Sequence, residues 1–363
     1  MENSTKKDSA LIRAAKYLIP WKGDKPAEII RKIIFLVAAA ALIVTVCVII
    51  SNAVQTINTE NDDKNRASAF HSAESIVDDK TIYVNNSSAS STSNSNSSVP
   101  EEKVPRTVQP KFEELLKQNP DTIGWIHIPN MPLVDLDYPV MQTEDNSYYL
   151  THDFDKNEVR SGALFTDFRA PITPTEQPAN IVVYGHNMAT GQYFAGLTYY
   201  CNYGFTVNDH SDISFYREHP TVEFDTLYEH ATYKIFATMM VNTEEEAGEV
   251  FPYYLKHNFE SKSDFNEYVA EILDRSTFYN PDVNVTYGDQ LLTLSTCLIG
   301  SYETDMRFVV FARKTRDGES PTVDVSKAYY NPNPKFYDLY YKQKNYTWEG
   351  RKWDKNLLVG YEG

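Results

Sequence analysis

L-L-T-L-S-T-C at Leu291–Cys297 and R-F-V-V-F-A-R-K at Arg307–Lys314 are the two runs on which the fold turns. The first is β-prone, apolar and hydroxyl-bearing, and it stops on a cysteine. The second opens on an arginine, ten positions after that cysteine, and sets Phe308, Val310 and Ala312 against Val309 and Phe311. Two such runs joined by a short polar loop predict an antiparallel strand pair. The pairing brings the Cys297 thiol, at the end of one strand, near the Arg307 guanidinium at the start of the next. Thiolate is the reactive form of cysteine, and adjacent positive charge favours it. A lone cysteine is also a common small core residue, so the strand pair alone leaves both roles open.

Outward from this pair, further strands are predicted at Ile123–Ile128, Leu133–Val140, Ala163–Phe168, Ile181–Tyr184, Val222–Leu227 and Thr232–Val241, each bounded by turn residues. Eight strands with few helices between them predict a mostly β fold, a closed or nearly closed eight-stranded barrel. Phe112, Leu115 and Leu116 form the apolar face of a short helix that ends before Asn119-Pro120. A second short helix is expected near Gln192–Tyr199. A third runs from Ser263 to Arg275, with Ser263 as its N-cap and Phe265, Tyr268, Val269, Ile272 and Leu273 on one face. The acidic stretch Glu244–Glu249 reads as a solvated loop.

The N-terminal third has a different character. Residues 1–32 are basic, with Lys6, Lys7, Arg13, Lys16, Lys22, Lys25, Arg31 and Lys32 against Glu2, Asp8, Asp24 and Glu28. Ile33 to Ile50 is eighteen residues without a charge, about 27 Å as a helix, close to the ~30 Å hydrocarbon core. A run this long exceeds a signal-peptide core of ~7–15 residues, so an uncleaved membrane anchor over 33–54 is expected rather than a cleaved leader. The preceding positive charges place the N-terminus in the cytoplasm. Residues 55–110, with N-N-S-S-A-S-S-T-S-N-S-N-S-S at Asn85–Ser98, read as a flexible linker. The globular domain spans 111–314. The segment 315–363 is an aromatic extension, carrying Tyr329, Tyr330, Tyr337, Tyr340, Tyr341, Tyr346, Trp348, Trp353 and Tyr361. It is expected to pack along the outside of the barrel or to offer a surface to cell wall or a partner.

Composition narrows the partners. The 363-residue chain has 34 basic and 50 acidic residues, a formal net charge of −16, which disfavours nucleic acid. Its three cysteines, Cys47, Cys201 and Cys297, make no disulfide framework. There is no metal motif, no Gly-rich phosphate loop and no G-x-S-x-G, so no cofactor is expected.

Among the eight histidines, His186 stands out because it follows the apolar strand Ile181–Tyr184 and a turn-permitting Gly185. His127 sits inside a strand and His71 falls in the linker. A neutral imidazole can take a thiol proton, and an imidazolium can give one to a leaving amine. Arg307 stays protonated and can donate to a developing oxyanion. The backbone N–H of Leu298, just after the cysteine, is expected to be a second donor.

At these residues the chain resembles the sortase family. The resemblance lies in T-L-S-T-C, in Y-G-H-N-M at Tyr184–Met188, and in the arginine opening the next strand. It is closest to the class B branch through D-Y-P-V-M-Q, N-S-Y-Y-L-T-H-D-F and G-A-L-F-T-D-F-R, and through the helix-bearing insertion between Val241 and Leu291. The resemblance implies a membrane-anchored transpeptidase on the outer face of a Gram-positive-type cell. Its catalytic residues would be Cys297, His186 and Arg307, and it would cut N-P-x-T-like sorting motifs of surface proteins. The acyl group would pass to an amine of a peptidoglycan precursor or to a pilin lysine. It further implies substrate contacts at Ser295, Thr296, Asn146 and Leu150. The chain departs from the pattern at Ile299, where many class B members carry an acid, and this leaves Glu303 or Asp305 to orient the histidine. A cysteine peptidase that hydrolyses the same thioester needs the same residues. A surface binding protein built on the barrel needs none of them.

Overall fold

Alternation along the strands decides which side chains fill the interior. The computed structural model describes residues 16–78, 104–201, 212–298, 305–345 and 347–360. Eight strands close a barrel: β1 (Thr122–Ile128), β2 (Leu136–Met141), β3 (Leu164–Thr166), β4 (Asn180–Tyr184), β5 (Thr221–Thr226), β6 (Glu229–Asn242), β8 (Leu291–Cys297) and β9 (Met306–Lys314). Their order around the wall is β1-β2-β3-β4-β8-β9-β6-β5. The predicted mostly β, eight-stranded closed barrel is therefore the observed fold. Pairs β2–β3 and β4–β8 are parallel and the others are antiparallel. Closure removes the exposed edges that an open sheet of this size would have to protect.

Because successive side chains point to opposite faces, every second residue of each strand turns inward. Ile126, Val140, Ile181, Val183, Leu292, Leu294, Phe308 and Val310 fill the interior. The alternate residues Leu291, Val309 and Phe311 face outward and are covered by α4 (Lys262–Arg275), whose Phe265, Val269 and Ile272 pack on them. The N-cap of α4 is Ser261, whose hydroxyl accepts from the Asp264 N–H at 3.2 Å, and not Ser263. Both serines precede the apolar face. Only Ser261 lies where the backbone is still extended, so that its side chain can reach the orphan N–H. Within the acidic stretch Glu244–Glu249, Glu245–Ala247 form a 3-10 turn with Ala247 buried, so this segment is not wholly a solvated loop.

The aromatic extension lies against α4 and the barrel. Strand β10 (Tyr329–Tyr330) pairs with β7 (Phe278–Tyr279), Asn331 Nδ2 donates to the Ser276 carbonyl at 2.7 Å, and Arg351 pairs with Glu267, Glu271 and Asp274.

Helix α1 (Pro26–Asp78) corrects the predicted linker over 55–110, because the chain stays helical to Asp78. Two compact units divide at Lys64/Asn65. In the first, the apolar part of α1 has a mean hydropathy of 3.3 and no buried residues, and it is long and apolar enough to cross a membrane. A helix segment that is apolar on all sides, with none of those side chains buried among the described residues, is suited to lipid. In the second unit the last turns of α1 pack on the barrel. Phe70 is 3% exposed and stacks on Trp125 at 4.3 Å, with Phe112 at 5.2 Å. Lys111 donates to Glu74 and Asp225, and Arg66 pairs with Asp155. The Ser/Asn tract at 85–98 lies outside the described residues.

Candidate active site

The strand ladders converge at one end of β4, β8 and β9. Cys297 is the direct partner of Arg307 across the β8–β9 pair. In the parallel β4–β8 pair Tyr184 stands opposite Ser295, so His186, two residues on, follows at the level of Cys297. Parity puts all three side chains on the outward face: Tyr184 and His186 alternate with interior Val183, Cys297 with interior Leu294 and Thr296, and Arg307 with interior Phe308. They line a cleft of about 370 Å³ together with Asn146, Leu150, Tyr254 and Arg169. Cys297 is a half-buried free thiol.

The backbone around His186 is held on both sides. The Phe194 N–H donates to the His186 carbonyl at 3.0 Å, and Asn187 Nδ2 donates to the Cys297 carbonyl at 3.0 Å. Thr296 Oγ1 donates to the Gly185 carbonyl at 2.8 Å. Gly185 is required by close approach rather than by an unusual turn. A Cβ there would sit 2.3 Å from Leu164 Cδ2 and 2.8 Å from Phe194 Cδ2. His186 Nε2 lies 2.8 Å from the Leu150 carbonyl. A carbonyl only accepts, so Nε2 carries the hydrogen and Nδ1 of the neutral ring is left as the proton acceptor.

Two sequence expectations are corrected here. The Leu298 N–H donates to the Met306 carbonyl at 2.9 Å. The β8–β9 ladder runs one residue past the cysteine and occupies the N–H expected to be an oxyanion donor. Asp305 does not orient the histidine. It binds Arg307 through Nη1 at 2.5 Å and Nη2 at 3.0 Å, a fork that fixes the guanidinium plane. Burial works against the Arg307 charge, but the Asp305 hydrogen bonds and the neighbouring Cys297 outweigh it and raise its pKa further. Among the described residues, the hydrogen-bond partner of the His186 ring is the backbone carbonyl of Leu150. Glu303 and Ile299 lie outside the described residues.

The expected substrate contacts are present in the cleft, but their polar atoms are engaged. Ser295 Oγ is 2.7 Å from the Tyr253 hydroxyl, and burial lifts that tyrosine to about 12. Asn146 donates to Asp167 at 3.0 Å and accepts from the Phe168 N–H at 3.0 Å. The Leu150 side chain is exposed in the cleft wall.

Sequence reasoning missed the group behind this wall. Asp167, 1% exposed, accepts from Arg169 Nε at 2.8 Å, the Tyr184 hydroxyl at 2.8 Å and Asn146. Burial opposes its charge, but Arg169, the backbone N–H and Tyr184 outweigh that and hold the carboxyl at about 2. The insertion between β6 and β8 supplies Tyr253 and Tyr254, braced by the Tyr268 hydroxyl of α4, which donates to the Tyr253 carbonyl at 3.0 Å. The motif G-A-L-F-T-D-F-R contained the Asp167–Arg169 signal, and a run of tyrosines beside an acidic loop marked the other wall.

A thiol, an imidazole whose Nδ1 is the acceptor nitrogen and a fixed guanidinium on one outward face have the chemistry for acyl transfer through a thioester. A family model described as the sortase domain matches residues 126–315. Sortase B of Staphylococcus aureus (strain NCTC 8325 / PS 47) is 33% identical over 206 residues, 57% of this chain and 75% of that protein. Sortase B of Listeria monocytogenes is 32% identical over 190 residues, 52% of this chain and 68% of that protein. A Staphylococcus aureus sortase B–substrate complex superposes with a TM-score of 0.55 at 27% identity, covering 72% of this chain and 99% of the other. With strand order, matched span and relatives in agreement, the chain belongs to the sortase family, the cysteine transpeptidases of surface proteins.

Proposed function

We propose that this sortase is a single-pass, membrane-anchored enzyme of class B type, with its N-terminus in the cytoplasm and its barrel outside the cell. It would cleave N-P-x-T-like sorting motifs and pass the acyl group to a cell-wall or pilin amine. The observation that carries this reading is the convergence of Cys297, His186 and Arg307 in one cleft at the ends of three adjacent strands. The Cys297 thiolate attacks the scissile carbonyl, and the tetrahedral oxyanion faces the Arg307 guanidinium. His186, protonated at Nδ1, gives that proton to the departing amine as the C–N bond breaks, leaving a thioester. The incoming amine attacks the thioester, its proton returns to Nδ1, and the thiolate leaves. With their polar atoms engaged, Ser295, Thr296 and Asn146 shape the cleft, while Leu150 offers it an apolar wall. The apolar helix flanked by Lys22, Lys25, Arg31 and Lys32 supports the topology.

The test uses the full chain in detergent micelles, wild type and Cys297→Ala, with N-P-x-T and L-P-x-T peptides, with and without added amine, and products read by mass. An amine-linked product that requires Cys297 is expected, with N-P-x-T preferred. Hydrolysis alone in abundant amine would favour a cysteine peptidase. No turnover, with Cys297 inert to alkylation, would overturn the nucleophile.

A further inference from the structure

On the barrel wall away from the cleft residues, α1 lays His71 over a pair of residues from β1 and β2. His127 and Asp137 are cross-strand partners. His71 Nε2 lies 3.0 Å from Asp137 Oδ1 and 3.1 Å from Oδ2, and the two imidazole rings are 5.2 Å apart. One ligand-capable atom from each of the three residues falls within 4.8 Å of the others. His127 Nδ1 is buried and only 3.2 Å from Asp137 Oδ1, yet it makes no hydrogen bond among the described residues. Further negative charge surrounds the group. Glu223 is the strand partner of His127, and Glu74 Oε2 lies 3.6 Å from His71 Nδ1. Among the described residues no lysine or arginine pairs with Asp137 or Glu223.

A second trio, Glu74, Asp225 and His230, is equally close but already holds a cation. Lys111 Nζ sits 2.6 Å from Glu74 and 2.9 Å from Asp225. The two neighbouring clusters thus differ in one respect: an ammonium neutralises one, and no fixed cation neutralises the other.

We propose that His71, His127 and Asp137 form a divalent transition-metal site of the Zn²⁺ type that fastens the last turns of α1 to β1 and β2. Two imidazole nitrogens and one carboxylate are a recurrent three-ligand set for this ion. Donors on a tetrahedral Zn²⁺ at ~2.0–2.1 Å stand about 3.3 Å apart, close to the spacing seen here. Ca²⁺ and Mg²⁺ take six or more oxygen ligands and do not suit a group rich in imidazole. The Trp125 Nε1–H donates to Asp137 Oδ1 at 2.7 Å and helps to hold the carboxylate, as outer-shell donors do in metal sites. None of the three residues lines the cleft, so the metal's role is to hold the helix.

The test titrates the chelator-stripped full chain in detergent micelles with Zn²⁺ by calorimetry, and with Co²⁺ by its visible ligand-field absorption. One equivalent is expected. His71→Ala and Asp137→Asn should each remove it, and Trp125→Phe should weaken it by ~10–100-fold. His230→Ala, in the lysine-filled trio, should leave it unchanged. Absence of Zn²⁺ binding at micromolar concentration, or full binding by His71→Ala, overturns the site. Should a variant fail to fold, imidazole NMR of the wild type decides. Zn²⁺ must shift the His71 and His127 rings, and shifts confined to other histidines contradict the proposal.

Discussion

The rim that carries Cys297 and the wall that receives α1 are built by different rules. At the rim, each candidate catalytic side chain lies on, or two residues beyond, strands that are neighbours in the barrel. The direct opposition of Cys297 and Arg307 follows from register, and the shared outward face follows from alternation. On the other wall, Phe70 and His71 meet Trp125 and Asp137 across a sequence gap that local pattern cannot bridge. Periodicity reports which face of an element is apolar, but it does not name the partner of that face. Among the described residues of these turns, Ala67 and Phe70 are the buried apolar side chains, and the rest of the apolar surface is supplied from outside the helix.

The largest expected effects fall on the rim. Cys297→Ala should remove turnover, and His186→Ala should lower kcat by ~10²–10⁴-fold, read as amine-linked product per unit time. Arg307→Ala should cost ~10²–10³-fold in kcat, and Arg307→Lys should restore little of it, since a lysine cannot reproduce the fork to Asp305. If His186→Ala retained full activity, the rim would have to be read as structural.

On the other wall, Phe70→Ala should weaken docking of the α1 end by ~3–5 kcal/mol, seen as rapid amide exchange and proteolysis confined to residues 65–78. An unchanged exchange profile would return this segment to the linker first expected from sequence. Between these cases lies the cleft wall. Folded Asp167 is held at about 2, below the ~3.9 of an unfolded aspartate. A depressed pKa contributes stability that is complete above about pH 4 and is lost as the pH falls toward 2, roughly 2–3 kcal/mol. Asp167→Asn should flatten that acid limb in a denaturation series, and a limb of unchanged slope would contradict the assignment. The smallest effect separates two serines. Ser261→Ala should cost ~1 kcal/mol of stability, whereas exposed Ser263→Ala should stay within ~0.5 kcal/mol.

Much of the barrel was legible because its strands are short, alternate cleanly and end on turn residues. Seven of the eight strands differ from their expected ranges by a few residues at either end at most, and Leu291–Cys297 did not move. Cys297, His186 and Arg307 were legible for a related reason, since Cys297 ends an apolar run, Arg307 opens one, and His186 follows one after a single glycine. Leu298 was misread because the ladder continues beyond the cysteine, and only pairing partners reveal where a ladder stops. Asp167 was passed over because a buried carboxylate gives no local sign of its partners. Asn146, Arg169 and Tyr184 reach it from three separate segments. Tyr253 was hidden in the insertion, where its role depends on a hydroxyl contact to Ser295 on another strand.

The most direct test of the central claim is the intact mass of the full chain quenched in acid during turnover of an N-P-x-T peptide, followed by digestion to locate the added acyl group. The account predicts one acyl group per chain, on Cys297, released by hydroxylamine and absent in Cys297→Ala. Product formed with the acyl group on another residue, or with the cysteine never acylated, would contradict it.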